Sequence, residues 1–224
     1  MTALAIIWDV DGTLVDTAEH HFQAWQRVAS ERGFPFTRAD FAATFGKRNS
    51  DIVRQLFNPH ASDDECRLWA EQKENYYRDA IRKSGVALLP GVAGLLAAFA
   101  QQQWLQAIGS SAPRENLELV LSLTKTRPYF RAIVSGDEVR RGKPDPEVFL
   151  TAADKLGVHP QRCVVIEDAP SGVEAAKAGG MRCVGVTFAG HHPAEKLLAA
   201  GADLVVPTLE LLNPEQFISL VKEK

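Results

Sequence analysis

Apolar residues gather in short, predominantly apolar runs at six places along the chain: 4–8, 104–109, 132–135, 162–166, 183–187 and 204–206. Runs of this length, apolar or β-branched and closed by turn-forming or charged residues, predict buried strands. Between them the spacing changes. Segments 91–102, 114–123, 146–156, 171–179 and 193–200 carry apolar residues on one side and polar residues on the other, the pattern of amphipathic helices. Strand and helix in alternation predict a parallel sheet with helices on both faces, an α/β, Rossmann-like core.

The stretch from 16 to 86 breaks this rhythm and contains no strand-like run. Ala18, Phe22, Trp25, Val28 and Ala29 lie on one helical stripe, Ile52, Leu56 and Phe57 mark a second helix, and 64–83 reads as a third, long one. The strands resume only past Pro90. The expected organisation is a discontinuous core, residues 1–15 and 87–224, interrupted by a small all-helical cap, residues 16–86, placed over the carboxyl ends of the strands. There is no internal repeat, low-complexity tract or Gly/Ser linker.

In open parallel sheets ligands bind beyond the carboxyl ends of the strands, so the residues after each predicted strand are the candidates. Asp9, Asp11, Gly12 and Thr13 follow the first; Ser110 and Ser111 the second; a loop with Gly142, Lys143, Pro144 and Asp145 the third; Glu167 and Asp168 the fourth. Each group alone is ordinary. A D-x-D-G sequence is often a plain loop, and the spacing past Gly12 fails the calcium-loop pattern. Two serines suit a turn or a helix cap. Four such groups at one edge of one sheet are a different matter, because together they form an acidic cluster with a hydroxyl pair and a lysine.

That set suits phosphoryl transfer on a hard metal ion. Magnesium favours carboxylate and carbonyl oxygens and keeps waters; Asp9, Asp168 and Glu167 are candidates to hold it, and it would relieve the repulsion among them. Beside the metal and Lys143, Asp9 is expected to stay ionised and act as nucleophile. Asp11 is expected to face the leaving oxygen as general acid, then general base. Ser110, the amides near Ser111, and Lys143 would hold phosphate oxygens.

Composition narrows the setting. A chain of 224 residues, 46% hydrophobic and 24% charged, holds one large domain or a domain with an insertion. A net charge of −3 argues against a broad nucleic-acid-binding face. Cys66, Cys163 and Cys183 are too few for a disulfide framework and lack zinc-site spacing, which points to a cytoplasmic setting. The opening apolar run is too short to span a membrane and has no basic leader. The expected partner is a small phosphorylated metabolite, with no nucleic acid and no membrane, and the protein is expected to be a monomer.

The stretches DVDGTLVD, GSS, GKPDPEVF and IEDAPSGVEAAKAGGM resemble, in order, the four signature motifs of the haloacid dehalogenase superfamily. The resemblance implies Asp9 as the phosphorylated nucleophile, Asp11 as acid/base, Ser110 and Lys143 at the phosphate, and Asp168 with Glu167 and the backbone carbonyl of Asp11 at magnesium. Dehalogenases of the superfamily lack the second aspartate and phosphonate hydrolases carry a small residue there, so Asp11 favours phosphatase or phosphomutase chemistry. The segment 16–86 is similar to the cap of beta-phosphoglucomutases and related sugar-phosphate phosphatases. This implies that Thr17 and His21 couple cap closure to Asp11, and it makes Arg48, Asn49 and Lys73 candidate substrate contacts. The resemblance is incomplete in the cap: Asn49 stands where mutases carry an arginine for a second phosphate, and the mutase cap lysine falls on or near Gln72, beside Lys73. The favoured expectation is a magnesium-dependent phosphohydrolase. A phosphomutase, a catalytically silent binding module on the same fold, and a protein whose cap recruits a partner are the alternatives.

Overall fold

The first strand, β1 (Ala5–Trp8), is buried at every position, and its alternating side chains feed two different cores. Ile6 and Trp8 enter one apolar cluster, Ala5 and Ile7 another on the opposite face, as the period of two in a strand requires. The structure, a computed structural model, describes residues 4–222. It places β1 at the centre of a six-stranded sheet with β2 (Leu105–Gly109), β3 (Ala132–Val134), β4 (Cys163–Glu167), β5 (Arg182–Val186) and β6 (Leu204–Val206), in the order β3-β2-β1-β4-β5-β6. Every pairing is parallel. The α/β, Rossmann-like expectation holds, and each strand lies within a residue of its expected ends.

The insertion after β1 folds into four helices, α1 (Ala18–Glu31), α2 (Arg38–Thr44), α3 (Asn49–Leu56) and α4 (Asp63–Ser84). They share an apolar cluster of their own, in which Phe22 and Trp25 of α1, Phe41 of α2, Ile52 and Val53 of α3 and Cys66 and Trp69 of α4 meet. Phe57 stacks between Trp25 (5.9 Å) and Trp69 (4.5 Å). α4 starts with Ser62 accepting from the Glu65 amide and carries Asp63, Asp64 and Glu65 in its first turn and Arg82 and Lys83 in its last, the charge order that the helix dipole favours. Where the insertion leaves and rejoins the sheet, its two connections lie side by side. Val15 bridges Leu88 in antiparallel fashion, and the Leu89 amide donates to Leu14 O at 2.9 Å.

The remaining helices cover the sheet. α5 (Val92–Gln101) and α6 (Arg114–Leu123) pack on the Trp8 side; α7 (Glu147–Leu156), α8 (Pro170–Ala178) and α9 (Ala194–Ala199) on the Ile7 side; and α10 (Pro214–Lys222) returns to the Trp8 side, where Phe217 meets Phe99 edge-on at 4.9 Å. The strand order reverses at β1, and Trp8 is level with Ile108 on one neighbour and Ile166 on the other. The residues that follow these three therefore emerge at one edge, at the crevice where open α/β sheets bind ligands. Among the described residues no helix is long and apolar enough to cross a membrane.

Candidate functional site

At that edge Lys143 joins two carboxylates. Its ammonium donates to Asp9 Oδ1 at 2.7 Å and to Glu167 Oε1 at 2.8 Å, with the Phe149 ring 4.6 Å away. Burial disfavours the lysine's charge, but the two anions outweigh it and raise its pKa above the ordinary value. For Asp9, burial dominates: the carboxyl is pushed up to about 7, with Lys143 opposing and Glu167 and Asp11 adding to the rise. Lys143 alone thus does not hold Asp9 fully ionised at neutral pH, as the sequence had suggested that it and a metal together would.

Glu167 was expected among the metal ligands. Both of its oxygens are engaged elsewhere: Oε1 with Lys143, and Oε2 with the amides of Asp168 (2.7 Å) and Ala169 (2.6 Å). It holds Lys143 and the start of α8 instead. Gly172 makes room for it, since a Cβ there would lie 1.6 Å from Glu167 Oε1. Asp168 is different. Its Oδ1 has only the Thr13 hydroxyl at 3.5 Å, and its Oδ2 is buried without a partner. Burial, with Glu167 and Asp9 nearby, raises it well above the carboxylate range. Gly12, at φ 90°, presses its backbone against this carboxylate; a Cβ would lie 2.1 Å from Oδ2.

An orphaned buried carboxylate oxygen next to a second carboxylate of raised pKa is a site short of positive charge. All donors nearby are oxygens, which fits a hard divalent cation. Among the described residues no three His, Cys, Asp or Glu side chains form a ready cage. Asp9 and Asp168 are the carboxylates such an ion would use, and a backbone carbonyl and waters would have to complete its sphere, an arrangement magnesium accepts.

Ser110 and Ser111 follow β2. Ser110 is buried, and its Oγ accepts from the Ala112 amide at 3.2 Å. Both serines line one cavity with Asp9, Asp11 and Asp168. The cavity's other wall comes from α1–α4. Asp11 Oδ1 accepts a short hydrogen bond from Thr17 and faces His21 Nε2 at 3.4 Å. His21 Nδ1 meets Lys73 Nζ at 2.6 Å, and Lys73 donates to Glu74 Oε1 at 2.8 Å. Burial would raise the Asp11 carboxyl; His21, Thr17 and, further off, Lys73 hold it below its ordinary value. Asn49 Nδ2 donates to Glu74 Oε1 at 2.7 Å. The His21 ring stacks on Tyr77, centroids 3.9 Å apart.

The structure thus brings Asp9, Asp11, Ser110, Ser111, Lys143, Glu167, Asp168, Thr17, His21, Asn49 and Lys73 to one place. Arg48 is not among them. Its guanidinium is tied to Asp51 and donates to the carbonyls of Val139 (3.3 Å) and Arg140 (2.8 Å), so the expected substrate contact is a tie between the helical insertion and the loop after β3. Gln72 donates to Glu31, away from the cavity, so Lys73 is the lysine that reaches it. Two contributors went unnoticed in the sequence, Glu74 and Tyr77, while Trp25, read as insertion core, also lines the cavity. Tyr77 sits four positions past Lys73 on the same face of α4, so its signal was present once Lys73 was placed inward; Glu74, one position on, carried none. The cavity holds about 50 Å³, far less than the roughly 300 Å³ or more of ordinary ligand pockets; the insertion is closed over the site.

A family model described as haloacid dehalogenase-like hydrolase matches residues 6–186, and the chain belongs to that family. It is 32% identical over 224 residues, 98% of each chain, to a phosphorylated carbohydrates phosphatase of Thermotoga maritima. It is 33% identical over 222 residues, 94% of each chain, to a beta-phosphoglucomutase of Bacillus subtilis. Among solved structures it is similar to a beta-phosphoglucomutase from Clostridium difficile, with a TM-score of 0.88 and 28% identity over 99% of this chain and 98% of that one.

Proposed function

We propose that this chain is a magnesium-dependent phosphohydrolase of a small phosphorylated metabolite, a sugar phosphate, working through an aspartyl phosphate on Asp9. Residues 1–15 and 87–224 act as the catalytic core and 16–86 as a cap that opens and closes. The observation that carries the reading is the pairing of two aspartates with opposite surroundings in one cavity: Asp9 tied to Lys143, and Asp11 tied to Thr17 and His21 of α1. Environments that separate two carboxyls in this way divide their roles.

Magnesium, held by Asp9, Asp168 and the Asp11 carbonyl, would screen the clustered carboxylates and the phosphate charge. In the first step a carboxylate oxygen of Asp9 attacks phosphorus, the bond to the leaving alcohol breaks, and Asp11 gives that oxygen its proton. In the second, Asp11 takes a proton from water as the water oxygen attacks phosphorus; the Asp9–phosphate bond breaks and the carboxylate returns. The low pKa of Asp11 in the closed site favours the base form that the second step needs, and the negative charge of an arriving phosphate raises it toward the acid form that the first step needs. Ser110, amides near Ser111 and Lys143 hold the transferring oxygens. Closure keeps bulk water out.

A phosphomutase is the second reading, supported by the likeness to beta-phosphoglucomutases along nearly the whole chain. The test is purified protein with magnesium, a panel of sugar phosphates, and beta-glucose 1-phosphate with catalytic glucose 1,6-bisphosphate, following both free phosphate and glucose 6-phosphate, with Asp9→Asn as control. Phosphate release without isomerisation supports the hydrolase. Isomerisation with little phosphate release makes it a mutase. Silence on every ester, in a folded protein, leaves the binding module.

A further inference from the structure

Glu74 is a buried carboxylate that neither half of the proposed reaction uses. It is 3% exposed, its partner Lys73 is 2% exposed, and both line the cavity. Its Oε1 accepts from Lys73 and Asn49, and its Oε2 accepts from Asn116 Nδ2 at 2.6 Å. Asn116 belongs to α6, which starts just past Ser110 and Ser111, so the carboxylate is gripped from both sides of the closure. A buried anion held by one lysine and two amides stays ionised; burial opposes this, and Lys73 with its other neighbours keeps its pKa below the ordinary value.

The consequence lies in the charge of the wall that faces Asp9. Lys73, boxed by Glu74, His21 and the rings of Trp25 and Tyr77, is cancelled by its neighbour. The rest of that wall is Trp25, Phe41, Phe45 and Ile52, the Asn49 amide, and Thr44, whose hydroxyl donates into its own helix at Asp40 O. Lys47, also on the lining, donates to Gln55 Oε1 at 2.8 Å. Aromatic faces and an amide suit the C–H and O–H groups of a polyol. A second phosphate would have to shed water beside a buried carboxylate with its countercharge already taken, which is how a site rejects a competitor.

We propose that Glu74 is a specificity-determining residue: by cancelling Lys73 it takes the buried cation of the wall around the leaving group out of play, so the site takes monophosphates of uncharged polyhydroxyl compounds and rejects the same sugar carrying a second phosphate. This rests on the phosphohydrolase reading above and names its substrate class.

The test compares glucose 1-phosphate, glucose 6-phosphate and glucose 1,6-bisphosphate on the wild type, Glu74→Gln and Lys73→Met. The quantity read is the ratio of kcat/KM for the bisphosphate to that for the better monophosphate, which cancels losses common to both. The wild-type ratio is expected at about one-tenth or below. Glu74→Gln frees the Lys73 charge and should raise the ratio roughly tenfold, through KM; Lys73→Met leaves the Glu74 carboxylate uncompensated and should lower it. Opposite shifts are the signature of charge, because a structural defect scales both substrates alike. A wild type that handles the bisphosphate as well as the monophosphates overturns the proposal, as does an unchanged ratio in whichever variant folds. If no glucose phosphate is hydrolysed, calorimetric titration of the wild type separates the two claims. Tighter binding of a monophosphate than of the bisphosphate upholds the selectivity and sinks only the hydrolase reading, whereas binding of neither sinks the selectivity too.

Discussion

Lys73 meets His21 at Nδ1, 2.6 Å away. An ammonium can only donate, so Nδ1 accepts and the ring proton lies on Nε2, the nitrogen that faces Asp11 at 3.4 Å. The tautomer of a histidine in the helical insertion is therefore set by a lysine of the same insertion, and the proton is aimed at the acid/base candidate of the core.

Removing that donor should move a titration. With His21→Ala, Asp11 keeps its burial and loses a partner that lowers its pKa, so its pKa rises. The base form then appears at higher pH, and the acidic limb of the kcat/KM profile shifts upward while kcat falls by about 10- to 100-fold. A fall in kcat with an unmoved limb would reduce His21 to a wall of the cavity.

Gly172→Ala should damage both stability and chemistry. The added methyl lands on Glu167 Oε1, and Glu167 cannot retreat without releasing Lys143 or the amides of Asp168 and Ala169. The expected cost is about 1–3 kcal/mol in urea unfolding, with a loss of kcat as Lys143 shifts. Gly94→Ala is the control. It lies exposed inside α5 with nothing within 4 Å of the added carbon, and should stabilise by about 0.5–1 kcal/mol. Equal effects at the two positions would refute the steric account.

Magnesium should stabilise the protein through Asp168. At a concentration near one hundred times Kd the gain is about 2.7 kcal/mol, read as a rise in melting temperature, and Asp168→Asn should abolish it. Because burial holds the Asp9 carboxyl near 7 in the metal-free protein, protons compete with the ion, so the gain should shrink as pH falls through that value. An undiminished gain in the variant would put the ion elsewhere.

Far from the site, Asp203 accepts from Lys177 Nζ (2.7 Å), Arg182 Nη1 (2.7 Å) and the Cys183 amide (2.8 Å). Burial opposes its charge, but these donors hold its pKa below 3.8. A carboxylate lowered in the folded state stabilises at pH above its unfolded value and stops doing so as pH falls through its folded one. Asp203→Asn should cost about 1–3 kcal/mol at pH 7, and the gap from the wild type should close below roughly pH 4. A gap that persists in acid would mean that packing, rather than charge, ties β5 to β6.

The sheet was legible because its strands are short, apolar on both faces and closed by polar residues, and because a parallel sheet sends the ends of β1, β2 and β4 to one edge. Two helices were not. α2 has only seven residues and buries little beyond Phe41 and Thr44, too few positions for a period to show; its mark is the capping box of Thr37 and Asp40. α10 likewise has its mark in the cap, where Asn213 and Gln216 exchange side-chain and backbone bonds. Around the site, the core residues came out by position alone. Residues from the insertion did not, because which face of α3 or α4 turns inward depends on how the insertion docks. Neighbours then part ways: Arg48 clasps a loop while Asn49 reaches Glu74, and Gln72 turns outward while Lys73 is enclosed.

The antiparallel bridge between Val15 and Leu88 makes the helical segment a detachable cassette. Its entrance and exit are adjacent, and none of its residues contributes a rung to the sheet. A foreign segment could be spliced in at these two points, or this one lengthened and reshaped over many generations, while Asp9, Lys143 and Asp168 keep their seats. Thr17, His21, the Arg48 tie to the loop after β3 and the tie to Asn116 would have to be refitted for a transplanted cassette to work.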